Sequence, residues 1–313
     1  MVLEAVPGED ASRNSDENRI KERSMAGKIG IIGGSGFYHI EGMKDVKAIK
    51  MKTPFGDPSD EFVTGILEGK EVVFLARHGK GHTILPSELN YCANIYGMKQ
   101  LGVERIISVS SCGSLKEELK PLDIVIPDQF VDRTNQARRM TFFGDGIVAH
   151  IAFADPVCAG LSRSLYDAAL EVGARAHLGG TYLNMEGPQF STRAESQLYR
   201  SWGVDIIAMT NLGEARVARE AEICYATLAC VTDYDCWHME GACDSVSVEM
   251  IIQNLLKNVD TSKKILKAVL KKLGARRGCP CATALKDSIV TRPEDIPAST
   301  RKRLELIIGK YVK

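Results

Sequence analysis

Two carboxylates, Asp233 and Asp235, stand at the end of an apolar run and can act together on one ligand. The run at 224–231 (CYATLACV) is short, apolar and partly aromatic, which is typical of a buried strand. Ligands of α/β sheets bind at the carboxyl ends of strands. If the strand continues, the two acids point to one side and Tyr234 to the other. The pair could bind a flat heterocycle with several N–H groups or a divalent metal. Alternatively, the two acids belong to a solvated loop.

Four further strand ends carry groups that bind anions. They are Ser35 with its glycines after 28–33, Arg77-His78 after 71–76, Ser110-Ser111 after 105–109, and Thr210 after 204–208. Glycines let backbone N–H groups approach an anion, and Arg offers a fork of donors. Turns and caps are the structural alternatives, and Thr210 is first of all a helix N-cap candidate. Hydroxyls, amides and a cation suit inorganic phosphate, and two acids suit a base. Together they indicate phosphorolysis of a nucleoside, which requires no metal.

Composition limits the classes of partner. The 313 residues include 40 Lys plus Arg and 40 Asp plus Glu, so the formal net charge is zero. Nucleic-acid-binding proteins usually carry a basic excess, which this chain lacks. No apolar run approaches the length of a membrane span, and the N-terminus has no signal-peptide core. We therefore expect a cytoplasmic protein with small-molecule ligands, no nucleic acid and no membrane partner.

Three segments are expected along the chain. Residues 1–26 are polar and form a disordered extension, 27–274 form one α/β domain, and 275–313 form a C-terminal extension with Cys279-Pro280-Cys281 and a basic helix near 299–312. Helices are predicted over 86–101 and over 245–273, and a break in the second is expected near Asp260-Thr261. Thr192 and Glu195 form a capping box that begins a helix ending at Trp202.

The nine cysteines are scattered, mostly in apolar stretches, at 92, 112, 158, 224, 230, 236, 243, 279 and 281. This pattern predicts buried free thiols. A disulfide framework or a zinc site is not expected, because no C-x-x-C pairs with a second one. His150 lies in an otherwise apolar stretch, where a lone His is more often a satisfied core residue than a functional one.

From about residue 28 to 270 the chain resembles the 5′-methylthioadenosine phosphorylases of the trimeric purine nucleoside phosphorylase family. The motifs that carry the resemblance are GIIGGSGF (30–37), TPFGDPSD (53–60), ARHGKGHT (76–83), SCGSL (111–115), EGPQFSTRAES (186–196), MTN (209–211) and TDYDCW (232–237). The resemblance implies a single α/β domain whose mixed, twisted and partly barrel-like central sheet is flanked by helices. It also implies a homo-oligomer, either a trimer or a dimer of trimers. No cofactor or metal is implied, since inorganic phosphate is a co-substrate.

The resemblance also assigns roles to residues. Phosphate would be held by Ser35, Arg77, His78, Ser110 and Thr210. The nucleoside would be lined by Ser111, Phe190 and Met209, and its methylthio group by Val246, Val248, Ile251 and Ile252. His150 would reach the pocket of the neighbouring subunit. Asp233 and Asp235 would be catalytic and face adenine.

The implied reaction is a pentosyl transfer in purine and methionine salvage. Phosphate attacks C1′ of methylthioadenosine while a protonated Asp233 donates to N7 of the leaving adenine. Alternatives are a purine nucleoside or methylthioinosine phosphorylase acting on 6-oxopurines, and a non-catalytic nucleoside sensor. Gln189, Ala208 and Gly213 depart from residues common in the family. The Cys-Pro-Cys tail is similar to a disulfide-forming Cys-x-Cys of hexameric archaeal members, and here a disulfide and two free thiols both stay open.

Overall fold

The structure is a computed structural model, and it describes residues 27–34, 41–135, 138–238 and 248–312. The predictions for residues 1–26, Ser35 and Val246, and for the side chains of Val248 and Ile251, lie outside this described part of the chain.

Strands and helices alternate along the chain. The strands are β1 (Lys28–Gly33), β2 (Lys44–Ile49), β3 (Phe62–Leu67), β4 (Lys70–Ala76), β5 (Val103–Ser114), β6 (Ile124–Ile126), β7 (Gln129–Arg133), β8 (Ala176–Leu178), β9 (Thr181–Met185), β10 (Ile206–Ala208) and β11 (Cys224–Asp233). The α-helices are α1 (Tyr91–Gln100), α2 (Ala159–Glu171), α3 (Arg193–Ser201), α4 (Asn211–Glu220), α5 (Val248–Lys272), α6 (Ala298–Arg303) and α7 (Glu305–Ile308).

One mixed sheet of 11 strands is organised around the long strand β5. On one edge β5 pairs parallel with β1 and then, nearer its carboxyl end, antiparallel with β10. On the other edge it pairs parallel with β11. The path on the first edge is β2-β3-β4-β1-β5-β10-β9-β7, and β6 and β8 extend the sheet beyond β11. The expected single-domain α/β fold with a mixed sheet is confirmed. The expected barrel-like part is an open, branched sheet, because its outer strands β7 and β8 are not paired with each other among the described strands.

The parallel register places several strand ends at one edge of the sheet. Gly33 lies beside Ala76, and Gly113 lies beside Asp233. Each residue of β11 is buried, as expected for an apolar strand covered on both faces. The short strand β10 runs against β5 and therefore delivers Thr210 to the same place from the opposite direction.

Three helix predictions are corrected or confirmed. The helix predicted from residue 86 begins at Tyr91, because the Asn90 side chain accepts from the Ala93 N–H at 3.0 Å and caps it, and a 3-10 turn precedes it. Helix α5 runs unbroken through 260–261. The capping box of Thr192 and Glu195 is present, with the Thr192 hydroxyl accepting from the Glu195 N–H at 3.2 Å.

The C-terminal residues pack into the core of the sheet domain. Leu285, Ile296, Leu304 and Ile308 belong to the same apolar cluster as Phe142. In place of the single basic helix expected near 299–312, two short helices, α6 and α7, follow one another. None of the helices in the described part of the chain combines the length and the apolar character needed to cross a membrane.

Candidate active site

A cavity of about 230 Å³ lies where the ends of β4, β5, β10 and β11 meet. The structure brings most of the predicted site residues to its wall: Arg77, His78, Ser110, Ser111, Phe190, Met209, Thr210, Asp233 and Asp235. Gly34, His82, Pro86, Met185 and Ile207 also line it. The carboxyl-end rule for α/β sheets therefore located the cavity correctly.

Two predicted residues do not line this cavity. His150 is exposed, and its backbone N–H donates to the Ser288 carbonyl at 2.8 Å. The prediction that it is a satisfied core residue is therefore wrong. Ile252 on α5 is 50% exposed in the single chain. The roles that the family resemblance gives to these two residues stay predictions.

The Arg77 guanidinium forms one end of the cavity and is held by a buried carboxylate. Arg77 is 2% exposed, and its Nε and Nη2 donate to Glu214 on α4. Its Nη2 also donates to Ser108 Oγ at 2.6 Å, and its Nη1 donates to the Val109 carbonyl at 3.1 Å. Glu214 accepts further hydrogen bonds from the hydroxyls of Ser108 at 2.6 Å and Tyr225 at 2.8 Å.

This network keeps Arg77 positively charged and leaves one of its N–H groups able to donate to a ligand. Burial alone lowers the pKa of Arg77, but the Glu214 charge and hydrogen bonds outweigh it, so that the pKa is raised. A guanidinium has five N–H groups, and its bonds among the described residues leave one N–H on Nη1. A Cβ on Gly34 would stand 3.4 Å from that Nη1. The absence of a side chain at Gly34 therefore lets a small anion approach the guanidinium.

The His78 imidazole is neutral at physiological pH. Burial and the Arg77 charge lower its pKa to about 4. Its Nδ1 lies 2.8 Å from the Ile84 carbonyl, which can only accept, so Nδ1 carries the proton. His78 was expected to bind an anion by donating a hydrogen bond to it. In this tautomer Nε2 is instead an acceptor, which suits the P–OH of a protonated phosphate.

Thr210 is the N-cap residue of α4, but its side chain does not cap the helix. The hydroxyl instead donates to Asn211 Oδ1 at 3.2 Å, and Asn211 is fixed by Thr227 at 2.8 Å. Thr210 and the neighbouring Ser110 line the same cavity wall, and the Asn184 side chain accepts from the Leu212 N–H in the first turn of α4 at 3.1 Å. Helix N-termini favour anions because their first N–H groups have no partner within the helix.

The two acids reach the cavity by different means. Strand β11 ends at Asp233, and Asp235 lies in a turn with a φ of 53°. The condition under which the two acids would share a face, a strand that continues through Asp235, is therefore not met. Asp233 Oδ1 accepts from the Asp235 N–H at 2.8 Å and so holds the turn that brings Asp235 alongside. The Thr232 hydroxyl lies 2.7 Å from Asp233 Oδ2.

Both acids hold their protons more strongly than solvated carboxyls. Burial is the main cause that raises the pKa of Asp233, and the Asp235 charge adds to it. Burial likewise raises the pKa of Asp235. A Cβ on Gly113 would stand 3.0 Å from Asp233 Oδ1, so glycine is the residue that leaves room beside this carboxyl. The pair can therefore offer a proton or an O–H donor to a ligand.

The middle of the cavity has an apolar wall. Met185, Phe190 and Ile207 contribute to it, and Phe190 is 54% exposed. Met209 also lines this wall, and its backbone carbonyl is already bonded to Arg138 Nη1 at 2.7 Å and to Asn184 Nδ2 at 3.0 Å.

The groups that hold the site residues from behind were not predicted from the sequence. They are Ser108, Arg138, Asn211, Glu214 and Tyr225. A charged residue on a helix is usually interpreted as solvent-facing, which hid Glu214. The indication was available, because Glu214 lies one turn into the helix that follows the predicted ligand Thr210.

Comparison with known proteins places the chain in a family. The model of the phosphorylase superfamily matches residues 28–271. The S-methyl-5′-thioadenosine phosphorylase of Geobacter sulfurreducens is 61% identical over 284 residues, which cover 91% of this chain and 99% of that protein. The crystal structure of a methylthioadenosine phosphorylase from an antarctic soil metagenomic library is similar, with 48% identity and a TM-score of 0.85 over 90% of this chain and 99% of that one.

A methylthioadenosine phosphorylase from Schistosoma mansoni, solved in complex with adenine, is 35% identical with a TM-score of 0.77 and covers 90% of this chain and 98% of that one. The chain therefore belongs to the S-methyl-5′-thioadenosine phosphorylase family within the phosphorylase superfamily.

Proposed function

We propose that this protein catalyses the phosphorolysis of 5′-methylthioadenosine to adenine and 5-methylthioribose 1-phosphate. The observation that carries the proposal is one cavity with an anion-binding end at Arg77 and Thr210 and two buried acids at Asp233 and Asp235. Relatives with this name, and a relative solved with adenine, support the choice of substrate. Phosphate is then the co-substrate, and the reaction needs no cofactor.

The anion-binding end positions the nucleophile. The remaining Arg77 N–H supplies a donor to a phosphate oxygen, and the N-terminus of α4 favours the negative charge. The hydroxyls of Ser110 and Thr210 now donate to the Ser111 carbonyl and to Asn211 Oδ1, and they would rotate to donate to phosphate when it binds. Ser35, which the family resemblance assigns to phosphate, would add a further hydroxyl donor. Holding phosphate against C1′ turns a bimolecular attack into a step within one complex, which is a large part of the expected rate enhancement.

The acidic end activates the leaving group. A protonated Asp233 donates to N7 of adenine as the glycosidic bond breaks, and the departing base does not have to leave as an anion. Asp235 accepts from the exocyclic amine or orients Asp233. A 6-oxopurine presents an acceptor at position 6, which an ionised acid repels, so the pair favours 6-aminopurines.

The remaining wall of the nucleoside pocket is assigned to the start of α5 and to a second subunit. Val246, Val248, Ile251 and Ile252 would hold the methylthio group, and His150 would enter from a neighbouring chain of a trimer or a dimer of trimers. The exposed Phe190, Ile252 and His150 support this arrangement, since a subunit contact would cover them.

Adenine release with and without inorganic phosphate tests the function. We expect rapid, phosphate-dependent release from methylthioadenosine and slower reaction with adenosine, inosine and methylthioinosine. Reaction confined to inosine or methylthioinosine would leave the assignment of the anion-binding end intact but would contradict the role assigned to the two acids. Binding without turnover would favour the alternative of a nucleoside sensor.

Replacing His78 by Asn tests the role of its Nε2. The Asn amide can still donate to the Ile84 carbonyl, but it presents no acceptor at the Nε2 position. We expect KM for phosphate to rise about 10- to 100-fold, the range for one hydrogen bond to a charged partner, while KM for the nucleoside changes little. Steady-state kinetics with phosphate varied gives this value.

His177→Asn is the matched control for that experiment. His177 lies outside the cavity and bonds Asp123 Oδ2 at 2.9 Å. Its replacement should leave both KM values unchanged. An unchanged KM for phosphate in His78→Asn would mean that Nε2 does not contact phosphate.

A further inference from the structure

Four cysteine thiols come together away from the nucleoside cavity. The Sγ atoms of Cys158, Cys224, Cys279 and Cys281 all lie within 4.8 Å of one another, and those of Cys224 and Cys279 are 3.2 Å apart. Cys158, Cys224 and Cys281 are buried, and Cys279 is half-buried. None of the four lines the cavity that holds Arg77 and the acids.

The four thiols come from distant parts of the sequence. Cys158 is the N-cap residue of α2, Cys224 is the first residue of β11, and Cys279 and Cys281 flank Pro280 at the start of the C-terminal segment. The Cys158 N–H donates to the Tyr225 carbonyl at 2.8 Å, which fixes the helix start against the strand. A zinc site was not expected from the sequence, because spacing shows only which cysteines are close along the chain. The fold brings Cys158 and Cys224 to the pair Cys279 and Cys281.

We infer that these four cysteines bind one Zn²⁺ ion as a structural site. A tetrahedral zinc ion with Zn–S bonds of about 2.3 Å holds its sulfur atoms about 3.8 Å apart, and the observed cluster needs only small adjustments to reach this. Four thiolate ligands leave no coordination position open, which is typical of structural and not of catalytic zinc. On binding, the thiols release their protons to solvent, and each sulfur atom donates an electron pair to the metal.

The surroundings suit such a site. The N-terminus of α2 favours negative charge at Cys158. Apolar side chains of α2, β11 and α5, including Leu161, Ala226 and Leu270, surround the cluster and exclude water. The half-buried Cys279 gives a metal ion or a chelator access from the surface.

The site would fasten the C-terminal segment to the body of the domain. Cys279 and Cys281 begin the segment whose Leu285, Ile296 and Ile308 complete the apolar core. That segment is also tied to Glu222, whose carboxylate accepts from the Leu285 N–H at 3.2 Å and from Lys310 Nζ at 2.9 Å. Metal removal should therefore loosen this segment without removing any group from the nucleoside cavity.

Metal analysis of the untagged full-length protein, purified under reducing conditions without chelator, tests the inference. We expect about one zinc ion per chain by elemental mass spectrometry, and a thiol reagent that attacks the cluster should release it. Zinc removal should lower the unfolding temperature. Refilling the metal-free protein with Co²⁺ alone should produce the visible absorption of tetrahedral cobalt thiolates, a measurement that needs no variant.

Variants separate this cluster from the other thiols. Cys158→Ser and Cys281→Ser should lose nearly all bound zinc. Cys92→Ser should retain it, because the Cys92 thiol is buried elsewhere and lies 3.2 Å from the Thr141 carbonyl. Fully reduced protein without stoichiometric metal would overturn the inference. So would a mass below that of the reduced chain under non-reducing conditions, which would identify disulfides among the four.

Discussion

Asp233→Asn should lower kcat for methylthioadenosine about 10²- to 10⁴-fold, the usual contribution of a positioned general acid. Asn keeps the size of the side chain, and its carbonyl oxygen can still accept from the Asp235 N–H that Asp233 now binds at 2.8 Å. The amide can donate a hydrogen bond to N7, but it cannot transfer a proton. We therefore expect kcat to fall much more than KM for the nucleoside rises. Single-turnover measurement of adenine formation at saturating phosphate gives the chemical step directly.

The pH dependence gives a second test of the same residue. Burial raises the pKa of Asp233, so the reactive protonated form persists to a higher pH than in a solvated Asp and is then lost as pH increases. The wild-type kcat should fall along this alkaline limb, and Asp233→Asn should lack the limb. The sign for stability agrees. When the pKa of a carboxyl is higher in the folded than in the unfolded state, the free energy of unfolding decreases as pH rises from the unfolded-state pKa through the folded-state pKa. An Asn at this position has no such titration, so Asp233→Asn should not destabilise the protein at neutral pH.

Asp235→Asn is the comparison variant. Its carboxyl is also buried with a raised pKa, but our proposal gives it an orienting role and no proton transfer. It should cost less in kcat than Asp233→Asn. Both variants should improve the relative use of inosine and methylthioinosine, because an amide can donate to a 6-oxo group. Equal kcat losses in the two variants would contradict the assignment of Asp233 as the acid, and unchanged selectivity in both would contradict the base-recognition argument.

The sequence was informative wherever a ligand group follows an apolar strand directly. Arg77 and Asp233 could be placed in one cavity because parallel strands of an α/β sheet end at a common edge. Ser110 lines the same cavity, but the strand predicted to end at residue 109 continues to Ser114, so Ser110 lies within β5 and not after it. Thr210 also lines the cavity, but the rule for parallel strands does not explain its position. Its strand β10 is antiparallel to β5, and it reaches the cavity only because β5 extends beyond the end of β1.

Contacts between side chains that are far apart in the sequence could not be predicted from it. Nothing in local pattern shows that Glu214 faces Arg77 across the sheet, or that Cys158 and Cys224 meet the C-terminal cysteines. The turn at Asp235 also escaped prediction. Its positive φ is uncommon for a residue other than glycine and is held by the Asp233 side chain itself. The Glu214 and cysteine contacts are tertiary and are not encoded in any periodicity, whereas the Asp235 turn is a local one that the Asp233 side chain forms.

The buried pair of Arg77 and Glu214 leads to the second large expected effect. Glu214→Gln should lower the free energy of unfolding by about 3–5 kcal/mol, the usual consequence of removing one partner of a buried ion pair. Both side chains are nearly inaccessible to solvent, and the Arg77 charge then has no carboxylate partner among the described residues. Denaturant unfolding at one fixed protein concentration, without phosphate, measures the loss. Added phosphate should recover more stability in this variant than in the wild type, because the anion supplies the missing negative charge.

Glu220→Gln on the same helix is the matched control. Glu220 is also buried, but burial raises its pKa to about 7, so that a substantial fraction is already neutral near pH 7 and an amide resembles that form. Its carboxylate binds the Thr141 hydroxyl at 2.6 Å and the Phe142 N–H at 2.7 Å, and no cation forms a salt bridge with it among the described residues. The change in unfolding free energy should stay within about 1 kcal/mol, and phosphate should stabilise this variant no more than the wild type. Equal losses in both variants would mean that Glu214 contributes packing and hydrogen bonds only. A large decrease in the free energy of unfolding that is confined to Glu214→Gln and is recovered by phosphate would show that Glu214 stabilises the buried Arg77 charge, which phosphate then binds.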